Sequence, residues 1–127
     1  MEEFRSLILS SKKEYKSRFA IKKTSGIFLL NTSDIAYFYA NNDLVFAVDQ
    51  HRKKHVVNFR MTELENVLDP TAFFRINRSE MVNIQYIQKM EPYFGNRLVV
   101  HLKGQAEGLK TSGAKTSAFR KWVEGVS

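Results

Sequence analysis

Short apolar runs, each closed by a cluster of turn-forming residues, dominate this chain and restrict it to a fold of many brief strands. Val, Ile, Phe and Tyr fill the runs, while Asn31-Thr32-Ser33 and Asn41-Asn42-Asp43 interrupt them. Asn and Asp tolerate the left-handed backbone that tight turns demand. Residues 73–83 are the most instructive. Phe73-Phe74-Arg75-Ile76 gives way to Asn77-Arg78-Ser79, and apolar residues resume at Met81 and Val82. Two packed strands joined by a polar tip satisfy that pattern. Arg supplies a rigid fork of donors, Asn both donors and an acceptor, and Ser a small hydroxyl, a set that suits phosphate oxygens and base edges. A solvated turn uses the same residues.

The expected strands cover residues 19–23, 27–30, 34–40, 44–49, 54–59, 86–93, 97–102 and 109–111, with two more flanking the 77–79 tip. In the third, alternation points Ile35, Tyr37 and Tyr39 to one face and Ala36 and Phe38 to the other. Thr62-Glu63-Leu64-Glu65 fits a capping box, which predicts a short helix over residues 63–68 ended by Asp69-Pro70. Ser112 can cap a closing helix in which Phe119, Trp122 and Val123 share a face. The class is therefore mainly β with one or two short helices. Residues 1–18 differ: charges surround Phe4, Leu7 and Ile8 at helical spacing, as in a linker or amphipathic helical segment, so residues 19–127 are expected to form the domain.

With 43% hydrophobic residues in 127, the chain can bury a core of ordinary domain size. It has no cysteine, which removes disulfides, thiolate metal sites and a Cys nucleophile and fits a cytoplasmic protein. No apolar run is long enough to span a membrane. The formal charge of +7 points to a polyanionic partner, with nucleic acid ahead of anionic membrane or acidic protein. Catalytic signatures are missing. His51 and His55 flank a basic β-turn with no carboxylate cluster, and His101 lies in a strand, so no metal site is expected. No Ser sits in a nucleophile elbow, and Lys103-Gly104-Gln105-Ala106-Glu107-Gly108 lacks the spacing of a phosphate-binding loop. Neither catalytic residues nor a cofactor are expected. Basic residues gather at the N-terminal segment, at Arg52-Lys53-Lys54, at Arg75 with Arg78, and from Lys110 to Lys121.

In order and content the chain resembles the LytTR DNA-binding domain, the output module of many bacterial response regulators. The resemblance rests on Asp34-Ile35-Ala36-Tyr37-Phe38-Tyr39-Ala40, the helix with Leu64 and Leu68, and Phe74-Arg75-Ile76-Asn77-Arg78-Ser79-Glu80-Met81-Val82-Asn83 with Ile87. It continues through Leu109-Lys110-Thr111-Ser112 and the helix bearing Phe119 and Trp122, spanning roughly residues 18 to 125. Three positions depart from the family pattern. Asn77 replaces a usual His, Tyr39-Ala40 a usual Glu-Ala, and Gly113 a frequent Arg.

The resemblance implies an elongated stack of antiparallel sheets whose loops enter successive major grooves of double-stranded DNA. The DNA-binding residues it indicates are Asn42, Asn77, Arg78, Ser79, Ser112 and Lys115. Asn77 and Arg78 would read bases, since Arg to guanine and Asn to adenine are the favoured pairs. Ser79, Ser112 and Lys115 would hold phosphates. Arg52 and Lys53, at the opposite hairpin, would not touch DNA. The same resemblance implies an upstream receiver domain that this chain lacks, and pairing of copies on repeated sites. An RNA-binding β domain, or a protein-interaction module on the same fold, are the alternatives.

Overall fold

The computed structural model describes residues 14–125. It opens with a hairpin of β1 (Arg18–Lys23) and β2 (Gly26–Asn31), whose tight turn places Gly26 at φ 144°, a conformation side chains rarely permit. A 3-10 turn leads into β3 (Ile35–Asn41), β4 (Leu44–Asp49) and β5 (Lys54–Val57), followed by α1 (Met61–Val67). Then come β6 (Phe73–Asn77), β7 (Glu80–Asn83), β8 (Ile87–Tyr93), β9 (Arg97–Leu102), β10 (Leu109–Lys110) and α2 (Gly113–Val123). The strands form three antiparallel sheets: β1-β2, β5-β4-β3-β7-β6, and β10-β9-β8.

The five-stranded sheet is the middle layer, and its two faces feed two cores. One core packs Phe38 and Met81 against Phe19 and Ile21 of the hairpin and Leu64 and Leu68 of the α1 region. The other packs Ile76 and Val82 against Leu98 and Val100 of β9 and Phe119 of α2. Each such side chain contributes about 1.5–3 kcal/mol by leaving water. Coverage on both faces explains why Met81-Val82 and Phe73-Phe74 are apolar at successive positions, where a half-exposed strand would alternate.

That double burial also alters β3. Strict alternation would group Ile35 with Tyr37 and Tyr39, but the register slips between Ile35 and Tyr37. This β-bulge sends Ile35 to the core of Phe38, and Ala36 with Tyr37 to the opposite core. β5 is shorter than expected. The chain leaves the sheet after Val57, and Phe59 instead stands edge-on to Phe19, ring centroids 5.4 Å apart.

The helix after β5 begins earlier than the predicted capping box. Arg60 is the N-cap, and its N–H donates to Glu63 Oε1 at 2.8 Å. Thr62 lies inside the first turn, and Glu65 is turned to another partner described below. The helix ends as Asp69 Oδ1 accepts from Thr71 N–H (2.9 Å) and from its hydroxyl (2.7 Å). At the N-terminal side, Lys16 N–H donates to Val67 O at 2.8 Å and Thr32 N–H to Ser17 O at 2.9 Å. Most of the expected linker or helix of residues 1–18 lies outside the described residues.

Candidate nucleic-acid interface

Three connections meet at one end of the middle sheet. Because β3 lies between β4 and β7, the β3–β4 and β6–β7 turns emerge side by side. Ala40 N–H donates to Ser79 O at 2.8 Å and fixes their relative height. On the far side of the β6–β7 turn, Ser112 N–H donates to Ile76 O at 2.9 Å and Asn77 Nδ2 to Lys110 O at 2.7 Å. The β10–α2 junction is thereby tied to the end of β6. Asn42, the Asn77-Arg78-Ser79 tip and Ser112 with Lys115 therefore share one edge.

Asn42 is exposed at φ 58°, a left-handed turn position that Asn tolerates better than most residues. Arg78 is exposed, and its guanidinium has no partner among the described residues. Its backbone, by contrast, is held firmly. The Arg78 carbonyl accepts from Arg75 Nε at 3.2 Å and Nη2 at 2.5 Å, while Arg75 Nη1 pairs with Glu65 Oε1 at 2.6 Å. Arg75 is thus a clamp from α1 to the tip, and Arg78 projects from the clamped backbone with all its donors available.

Asn77 is differently placed. Its Nδ2 donates to Glu80 Oε1 at 2.8 Å as well as to Lys110 O, and its Oδ1 accepts from Ser79 N–H at 2.8 Å. Both amide hydrogens are in use inside the chain. Ser112 occupies the N-cap position of α2, but its hydroxyl makes no capping bond. A directed chain of bonds seats this helix start instead. Leu98 N–H donates to Thr111 Oγ1, that hydroxyl to Thr116 Oγ1, and the Thr116 hydroxyl to Ser112 O, at 3.0, 2.6 and 2.8 Å. No acidic side chain lies in the first turn of α2, so its N–H groups and helix dipole favour an anion. Lys115 is half-buried along a cleft formed with Leu64, Phe74 and Trp122.

The folded chain adds residues to this edge that sequence reasoning missed. Arg97 Nε donates to Thr111 O at 2.9 Å, and both Arg97 and Lys110 lie over the Tyr93 ring, at 5.1 and 5.3 Å. The β8–β9 tip, with Phe94 79% exposed, therefore stands beside the start of α2. Arg97 and Tyr93 pair across the local β8–β9 hairpin, and the register of β10 on β9 then brings Lys110 and Thr111 beside them, a link with no local sequence signal.

The β4–β5 hairpin carrying Arg52 and Lys53 is at the other end of the sheet, where Gln50 N–H donates to Asp34 O at 3.0 Å. Asp49 organises it. His55 Nε2 lies 2.9 Å from Asp49 Oδ2, and Asp49 Oδ1 accepts from His51 and Lys53 N–H. Burial pushes the Asp49 carboxyl up, but these bonds and the neighbouring His55 outweigh it and hold the carboxyl below its ordinary value. Among the described residues no group of three His, Cys, Asp or Glu could hold a metal ion, and no helix is long and apolar enough to cross a membrane.

Residues 25–124 match the family model of the LytTr DNA-binding domain. The transcriptional regulatory protein YpdB of Escherichia coli K12 is 32% identical over 99 residues, which is 78% of this chain and 40% of that protein. An uncharacterized response regulatory protein of Vibrio cholerae is 27% identical over 105 residues, 80% of this chain and 40% of its own length. The chain thus spans about 40% of the length of these relatives. A solved LytTr DNA-binding domain from Bacillus cereus superposes with a TM-score of 0.77, covering 85% of this chain and 97% of that one at 23% identity.

Proposed function

The chain belongs to the LytTR family of DNA-binding domains, which are non-enzymatic modules of transcription regulators, and on that premise we propose that it is the sequence-reading output domain of a bacterial two-component regulator. The observation that carries this reading is Arg78: a guanidinium with no partner among the described residues, on a backbone clamped by Arg75, at the centre of an edge built from several loops. A fork fixed at the backbone and free at the tip suits bidentate contact with guanine in the major groove. Asn42 would flank it on one side. Ser79, Ser112, Lys115 and the first turn of α2 would hold phosphates and set the register, joined by Arg97 and Lys110.

Asn77 takes a changed part in this scheme. With its amide spent on Glu80, Lys110 and Ser79, it would act first by positioning the tip, and a direct base contact would require breaking those bonds. The remaining length of the relatives leaves room for an upstream receiver, which would control pairing of copies on repeated sites in the cytoplasm.

Selection of preferred sites from random duplexes, followed by a salt titration, tests the reading. Lys115, Arg97 and Lys110 as phosphate contacts predict a slope of log affinity against log salt of about −3. A slope near zero with no preference among sequences would refute it.

A further inference from the structure

Away from the loop edge, β2 presents Ile27, Phe28 and Leu29 at 66%, 49% and 68% exposure, three successive large apolar residues on an open strand. Its sheet has two strands, so among the described residues nothing pairs with its outer side. Natural edge strands are normally guarded by charge, proline or a bulge, yet Gly26-Ile27-Phe28-Leu29-Leu30 carries none of these and its pairing with β1 is regular.

The hydrogen-bond phase of that edge can be worked out. Thr32 N–H donates to Ser17 O, so the Ser17 and Thr32 pair is hydrogen-bonded. Counting by twos along the register, Phe19 with Leu30, Ile21 with Phe28 and Lys23 with Gly26 are also hydrogen-bonded pairs. The N–H and C=O groups of Ile27 and Leu29 therefore turn away from β1, toward the open side. The residues that offer unpaired backbone are the same ones that offer exposed apolar side chains.

From this we infer that two copies of the chain pair β2 against β2, antiparallel, about a two-fold axis at Phe28. In this register Ile27 of each copy stands opposite Leu29 of the other, and each such pair exchanges both backbone bonds. Phe28 meets Phe28 on the other face as a non-hydrogen-bonded pair, the closer kind. Apolar residues meet apolar residues on both faces, every outward backbone group of Ile27 and Leu29 is satisfied, and the strand is its own complement. Two hairpins become one four-stranded sheet. The three side chains cover on the order of a few hundred Å² per copy, against ~800 Å² per partner in a stable standard interface. The isolated chain should therefore pair weakly, in the high micromolar range or above, and the inference does not depend on the DNA-reading role.

The chain has no cysteine, so single-cysteine variants of the full 127 residues report the register. Phe28→Cys places two thiols across a close pair, within disulfide reach, whereas Ile27→Cys or Leu29→Cys alone sets them diagonally, beyond it. Mild oxidation at high concentration should yield covalent dimer from Phe28→Cys, little from either of the others alone, and a mixed dimer when those two are combined. In sedimentation equilibrium the mass of the wild-type chain should rise above 14.8 kDa with concentration, while Leu29→Lys stays monomeric with an unchanged melt. Equal cross-linking at all three positions, or no rise in mass into the millimolar range, would overturn the pairing. So would association that appears only after removal of residues 1–13, which would mean that this segment occupies the edge.

Discussion

Replacing Asn77 with Ala removes one half-buried amide and three hydrogen bonds, to Glu80, to the Lys110 carbonyl and from Ser79 N–H. A neutral bond is worth about 1 kcal/mol net and one to a carboxylate somewhat more, while the exposed tip lets Ser79 and Glu80 recover water. The loss should come to about 2–3 kcal/mol. For a domain of this size that lowers Tm by roughly 7–11 °C. Because Asn77 ties the β6–β7 turn to β10, DNA affinity should fall by a similar factor on the preferred site and on each of its single-base variants. Asn77→Asp should do no better, since it keeps the acceptor for Ser79 N–H but faces Glu80 and the Lys110 carbonyl without a donor. Thermal melts and competition titrations across a base-substitution series measure both effects. A melt within two or three degrees of wild type, with loss confined to one base pair, would refute the positioning role and return Asn77 to base reading.

Three further outcomes follow from the same geometry. A Cβ at Gly113 meets nothing within 4 Å, so Gly113→Arg should fold normally and tighten DNA binding by about 1–3 kcal/mol through a fork at the start of α2, measured by titration. Asp49 has its carboxyl depressed relative to the unfolded value of about 3.9, so its stabilisation is complete above that pH and is lost as pH falls through the lower, folded value. Asp49→Asn should therefore be less stable at pH 7 and show a shallower acid loss in urea midpoints between pH 7 and 2; an unchanged acid slope would contradict this. Arg52→Ala with Lys53→Ala removes two charges at the far hairpin and should leave short-duplex affinity within about twofold at moderate salt, where charges beyond a Debye length of ~10 Å are screened.

Much of the architecture was legible because strand and turn signals are local. Asn41-Asn42-Asp43 and Asn77-Arg78-Ser79 announce their turns through residue chemistry, and Phe119 with Trp122 announces a buried helix face by spacing. The bulge in β3 was not legible, since it arises from two cores competing for Ile35, Ala36 and Tyr37, and one strand's sequence does not reveal what lies above and below it. The helix cap lies two residues before Thr62 because Glu63 and Glu65 both suit a capping box, and only the position of Arg75 shows that Glu65 is taken. The site itself divides in the same way. Arg78 and Ser79 belong to a local tip, whereas the bond from Asn77 to Lys110 spans 33 positions and the bond from Arg97 to Thr111 spans 14. Side-chain bonds between distant elements leave no periodic trace in sequence.

If the Arg75 clamp presents Arg78 to a base, truncating Arg78 removes both affinity and discrimination at one position. Affinity of Arg78→Ala is to be measured at fixed salt on the selected site and on every single-base-pair variant of it. A base-reading Arg78 loses about 1–3 kcal/mol on the selected site, roughly 5- to 150-fold, with preference relaxed at one base pair and retained elsewhere. An equal loss on every duplex would rule out base reading and make Arg78 a phosphate contact.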